Sequence, residues 1–197
     1  MENIKQNKYS TEALLAEFFA QDDLKSLAAD AGALLECPLL VLDDTFHVAA
    51  YYRPLGFSDP LFQASVSRGE ITYEAGAIIS RSEALTAGAA DYVKLEESAY
   101  RRRFVPLISS GVRLGFLICV DTDGHLQKIP RETWNTVEQV LAKQAFIETS
   151  RQDKPFETAE DVLMHLLDGG FSSALYFQLQ AAGTYHTSLI SILRDLG

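Results

Sequence analysis

The side chains that could do chemistry in this sequence are few and scattered. The four histidines, His47, His125, His165 and His186, show no HxH or HExxH spacing and have no partner acid at ligand distance along the chain. Asp43-Asp44 places two carboxylates side by side, but Thr45 follows, and a tight polar turn accounts for the group without catalysis. His125 comes after Asp121, Asp123 and Gly124, an order similar to the start of a calcium loop; the later ligand positions, above all the closing glutamate, are missing. The two cysteines, Cys37 and Cys119, lie far apart inside apolar stretches, with no CxxC pairing. That pattern reads as reduced, buried, inert thiols rather than a zinc site. There is no glycine-rich phosphate loop and no GxSxG elbow. The expectation is a protein that is not an enzyme and holds no cofactor or metal.

Arg101-Arg102-Arg103 and the tyrosines Tyr51, Tyr52, Tyr73, Tyr92 and Tyr100 remain. A guanidinium beside an apolar wall suits a carboxylate or phosphate, which it binds through two parallel hydrogen bonds. Tyrosines offer rings that cover an apolar ligand and hydroxyls that orient it. Three arginines are too short a footprint for nucleic acid. With 27 acids against 17 bases and a net charge of −10, the chain as a whole repels a phosphate backbone. At 197 residues and 47% hydrophobic, it has room for one good-sized domain and the start of a second, with a core that needs no disulfides. No apolar run is long enough to span a bilayer, and MENIKQNKYS lacks the apolar stretch of a signal peptide. A soluble, cytoplasmic protein without membrane contact is expected.

Hydrophobic periodicity places these residues on elements. Leu14, Leu15, Phe18 and Phe19 form one helical stripe after a Ser10 or Thr11 cap; Leu24, Leu27, Ala28, Ala31, Leu34 and Leu35 form a second after Asp22 or Asp23. The run 38–42 and the alternating stretch 46–52 predict a hairpin around the Asp43 turn. Residues 53–100 are irregular, with short helices expected over 60–67 and 73–85 and a strand near 92–95. A second hairpin is expected over 101–108 and 112–120, joined at Ser109-Ser110-Gly111. After Pro130, Trp134, Val137, Leu141 and Ala145 predict a long helix to about Arg151. Lys154-Pro155 is the expected boundary between domains, 1–153 and 154–197. Beyond it come a helix with Val162, Leu163, Leu166 and Leu167, the Gly169-Gly170 stop, and a helix over 172–182. The stretch 188–196 fits either a helix or a buried strand. A helix-turn-helix reading of 172–196 fails on charge: from Glu157 onward there are five acids and the single base Arg194.

The order helix, helix, hairpin, irregular insert, strands, long helix is that of a GAF domain, a relative of the PAS fold. Three stretches carry a closer resemblance, to the N-terminal sensing region of PucR/CdaR-type bacterial transcription regulators. They are LKSLAADAGALLECPLLVLDDTFHVAAYY (24–52), RRFVPLISSGVRLGFLICVD (102–121) and ETAEDVLMHLLDGG (157–170). The resemblance implies an α+β fold with an antiparallel sheet, terminal helices on one face and a short helical insert over the other. It also implies a sensing domain that binds a small-molecule effector. The stripe Leu14, Leu15, Phe18 and Phe19 and the long helix 130–151 offer more apolar surface than one sheet face can cover, and they are expected to pack together in a homodimer. DNA would be reached only through a C-terminal domain outside this chain, with TSLISILRDLG resembling the first strand of the intervening central domain. The alternatives are a dimerisation scaffold with no ligand, or a cysteine-based GAF enzyme similar to the methionine sulfoxide reductases.

The second hairpin locates the expected site. If Ser110-Gly111 is a two-residue loop, Ser109 pairs with Val112, Arg103 with Ile118, and Pro106 lies opposite Gly115. One face then carries Arg101, Arg103, Val105, Leu107, Leu114, Phe116 and Ile118; a loop one residue longer reverses the assignment. That larger apolar face is expected to border a cavity under the insert 53–100. Tyr52, Tyr73, Tyr92, Arg103 and Phe116 are the candidate ligand contacts, Arg103 meeting an acidic group of the effector. The opposite face, with Leu117 and Cys119, is expected to pack on the terminal helices.

Overall fold

A computed structural model describes residues 9–20, 23–109 and 111–152 of the chain. The chain divides into two compact units, Met1–Phe146 and Ile147–Gly197. The described part of the second unit is the last stretch of a helix that ends at Gln152. The boundary expected at Lys154-Pro155, the helices expected beyond it and the tail 188–196 all lie outside the described residues. No helix among the described residues is long and apolar enough to cross a membrane.

Capping residues set the helix starts. Ser10 accepts from the Ala13 amide at 3.1 Å and opens α1 (Thr11–Ala20); Asp23 accepts from the Lys25 amide at 3.0 Å and opens α2 (Leu24–Leu34). Strands β1 (Leu39–Asp43) and β2 (Val48–Tyr52) follow as a hairpin. Its turn is built on Asp43, whose Oδ1 accepts from the Thr45 amide, the Thr45 hydroxyl and the His47 amide, so the turn accounts for the carboxylate. The insert holds α3 (Pro60–Arg68), α4 (Tyr73–Arg81) and α5 (Glu83–Thr86). One helix was expected over 73–85. Ser82 divides it, taking extended backbone angles while its hydroxyl accepts from the Leu85 amide. Then come β3 (Asp91–Lys94), β4 (Arg101–Ser109), β5 (Val112–Asp121), a 3₁₀ turn and α6 (Arg131–Gln152).

The five strands form one antiparallel sheet in the order β2-β1-β5-β4-β3, and the fold is α+β. Two apolar layers cover it. Leu39, Val41, Val105, Leu107, Leu117 and Cys119 face α1, α2 and α6 and pack on Leu27, Ala31, Val137 and Leu141. Leu40, Leu42, Phe104, Phe116, Ile118 and Val120 face the insert and pack on Phe62, Ala75, Ile79 and Leu85. Burying each large aliphatic side chain contributes roughly 1.5–3 kcal/mol, so both faces hold the sheet. Gly32 brings α2 close to the first face: a Cβ there would stand 2.2 Å from the Tyr52 ring.

The β4–β5 register departs from the expectation. Ser109 does pair with Val112, but Arg103 lies opposite Cys119 rather than Ile118, and Pro106 opposite Phe116 rather than Gly115. A bulge between Leu107 and Ile108 shifts the pairing by one residue. Gly115, at φ 150°, accommodates the kink; a Cβ there would stand 1.9 Å from the Leu42 carbonyl oxygen. The assignment of β5 is as expected, with Phe116 and Ile118 toward the insert, whereas that of β4 is reversed. Arg102 and Phe104 face the insert, and Arg103, Val105 and Leu107 face the terminal helices.

Candidate functional site

The register determines which candidate residues meet. Phe116 is fully buried under the insert and stacks on Phe46, with ring centroids 5.8 Å apart. Tyr73, the first residue of α4, is 87% exposed. Tyr52 and Tyr92 are partly buried against the other layer, beside the terminal helices. Arg103 is there too. Its guanidinium lies 3.6 Å from the Trp134 ring centroid and donates to Glu138 Oε1 at 3.1 Å. Burial raises the Glu138 carboxyl above its usual value, against the opposing charges of Arg103 and Arg131. The five candidates therefore do not surround one space, and Arg103 lies across the sheet from the insert.

The arginine under the insert is Arg102. Its side chain is almost fully buried and pairs with the equally buried Asp59. Asp59 also caps α3, its Oδ2 accepting from the Phe62 amide at 2.9 Å, while Oδ1 accepts from the Ser98 hydroxyl at 2.8 Å. Ser98 Oγ in turn accepts from the Tyr100 amide at 3.1 Å, and Arg102 Nη1 donates to the Tyr100 carbonyl at 3.4 Å. This network clips the start of α3 and the loop before β4 onto the sheet. Burial pulls the Arg102 guanidinium below its usual pKa, opposed by the charge and the hydrogen bond of Asp59. Beside the clip lies a cavity of about 20 Å³, bordered by Arg102, Phe104, Ile118, Leu40, Phe62 and Ala75 among others. That volume is near the space of one water molecule. In this conformation the space beside Arg102 is closed to anything larger.

Asp59-Pro60 was legible as a helix start, because an aspartate cap followed by proline is a common opening. The pairing of Asp59 with Arg102, 43 residues away, has no local signal.

Two other groups come together. Cys37 and Cys119, distant in sequence, are neighbours in the layer under the terminal helices, and both are free and fully buried. The hydrogen bond to Cys119, then burial, then the nearby charges of Cys119 and Asp121 push the Cys37 thiol well above its usual pKa. Asp121, Asp123 and His125 place one ligand atom each within 4.8 Å of one another. Those atoms are already engaged: Asp121 Oδ1 accepts from the Gly124 and Leu126 amides, and the His125 ring contacts Asp123 through Nδ1 and the Leu35 carbonyl through Nε2.

No family model matches the chain, and no curated protein matches it either. Among solved structures, it is similar to the GAF domain from Acinetobacter phosphoenolpyruvate-protein phosphotransferase. The identity is 12% and the TM-score 0.45, over 75% of this chain and 95% of that one.

Proposed function

We propose that this chain is a GAF-like signal-sensing module of a PucR/CdaR-type transcriptional regulator, working in the cytoplasm as a homodimer. A small-molecule effector binds between insert and sheet, and the bound state passes to a DNA-binding output domain. The observation that carries the effector reading is the buried Asp59–Arg102–Ser98 clip. A buried ion pair adds little net stability compared with apolar side chains of the same size, yet it is specific in geometry. Displacing Asp59 frees a forked donor against the apolar wall of Phe104 and Ile118, an arrangement that suits the acidic group of a small molecule. Because the present cavity holds only about 20 Å³, effector entry requires the insert to move. The three stretches of sequence resemblance support the regulator family.

A scaffold with no ligand is the second reading, favoured by Phe62, Phe104 and Phe116 filling the space under the insert. The cysteine-based alternative is opposed by the raised Cys37 thiol, since such chemistry needs a lowered one. Thermal shift of the full chain against a panel of small mono- and dicarboxylic acids separates the first two readings. Sensing predicts that at least one acid raises Tm and that Arg102→Lys weakens the response. A panel that leaves Tm unmoved gives the scaffold reading instead.

A further inference from the structure

The two edges of the sheet are unequally protected. β3 is four residues long, begins at Asp91 and ends at Lys94, and Asp91 is held by the Ser82 hydroxyl at 2.8 Å. Short length and charge are how natural proteins blunt an edge. β2, at the other edge, reads Val-Ala-Ala-Tyr-Tyr and carries no charge. Its outer side is covered only at the start, where the Val48 amide donates to the Gly69 carbonyl at 2.8 Å and His47 bridges to Glu70. Among the described residues, no other backbone pairs with the outer side of 49–52.

Along this open stretch run two adjoining depressions of about 320 and 480 Å³, which share Tyr51 and Val66. Ala49 and Ala50 floor the larger one and leave room for a second backbone to approach. The charged residues of the trough are Lys25 in one depression and Arg53 in the other; no acidic side chain lines either. In a chain of net charge −10, that is a local reversal of sign. Asp23, beside Lys25, and Glu70, next to Gly69, flank the trough without lining it. At physiological salt the Debye length is about 8 Å, so Lys25 and Arg53, which line it, act on a docked chain more strongly than the remoter acids do.

We infer that the outer edge of β2 is a docking site for an extended acidic peptide segment, which adds a sixth strand to the sheet. The free amides and carbonyls hold its backbone, Tyr51 and Val66 receive an apolar side chain, and Lys25 and Arg53 meet its carboxylates. A second copy of this chain fits less well. Two β2 strands paired antiparallel would bring the Arg53 end of each against the Lys25 end of the other, cation to cation.

The test uses the full 197-residue chain and a fluorescent peptide of about seven residues alternating glutamate with valine. Saturable anisotropy with a Kd on the order of 10–100 µM is expected, with no saturation by the lysine–valine counterpart. Methylating the peptide amides on alternate residues, in one of the two registers, should abolish binding. Lys25→Glu combined with Arg53→Glu should weaken binding at least tenfold and admit the lysine–valine peptide, with Tm unchanged. The inference fails if the acidic peptide does not saturate at millimolar concentration, or if neither methylated register nor the double variant affects it. It fails equally if the chain self-associates with hydrogen-exchange protection confined to 49–52, since a second copy is then the occupant. None of these outcomes depends on whether an effector binds under the insert.

Discussion

His125 makes two contacts that suit a doubly protonated ring: Nε2 lies 2.8 Å from the Leu35 carbonyl at the end of α2, and Nδ1 contacts Asp123. Burial alone would lower its pKa. The Leu35 carbonyl, the Asp123 hydrogen bond and the charges of Asp123 and Asp121 outweigh that and raise it. A cation at a helix C-terminus is also favoured by the helix dipole. Because the folded pKa lies above the usual 6.5, this contribution is complete below pH 6.5 and is lost as pH rises through the folded value. Asp123 works in the opposite sense: its pKa is lowered, chiefly by His125, so its share is lost as pH falls through the folded value. Urea midpoints across pH should show a high-pH decline worth about 1 kcal/mol that His125→Gln flattens. A decline unchanged in the variant would assign it to other groups. At the Asp59–Arg102 pair, Asp59→Ala leaves a buried guanidinium without its partner. A loss of about 3–5 kcal/mol is expected, whereas Asp59→Leu combined with Arg102→Met should recover most of it in the same denaturation experiment.

Element by element, periodicity identified most of what forms, because α1 to α5 each start at a capping side chain, α6 follows Pro130, and every strand but the short β3 carries an apolar run. β4 shows where that logic stops. It and β5 are apolar on both faces, so neither pattern says which residues share a face; that depends on a single bulged position between them. Gly115 marks that position, and a glycine within a strand pattern is a recognised sign of a bulge or a close backbone approach. Once the register moved by one residue, Arg103 went to the Trp134 side and Arg102 to the insert side, and with them the site. Gly115→Ala should therefore cost at least about 2 kcal/mol, through the Leu42 contact and the positive φ together; thermal unfolding checks it. A variant within a few tenths of a kcal/mol of the parent would show that the bulge relaxes freely. Ser82 is a smaller case of the same kind, since its choice between continuing a helix and capping a new one depends on local hydrogen bonds.

Across the whole molecule, the first helix presents more apolar surface than the sheet covers. Leu14 is buried, but Leu15 is 40% exposed and Phe19 82%. In the proposed homodimer this face of α1 is the contact, so light scattering at tens of micromolar, a concentration set by ordinary dimer affinities, should give twice the chain mass. Leu15→Lys with Phe19→Glu should give the monomer mass; a parent that is already monomeric there removes the proposal. The strand order has a consequence for how the chain reaches this structure. β4 and β5 meet through a turn, Ser109 opposite Val112, whereas β1 must find β5 from the far side of the insert, Leu39 opposite Cys119. Closing that long loop costs entropy before any contact returns it. The second hairpin is thus the local event and the docking of β1 the late one. Val105→Ala should accordingly slow folding, with a φ-value well above that of Leu40→Ala, which should act mainly by speeding unfolding. Because the insert closes only as β1 docks, a longer insert should speed unfolding more than it slows folding.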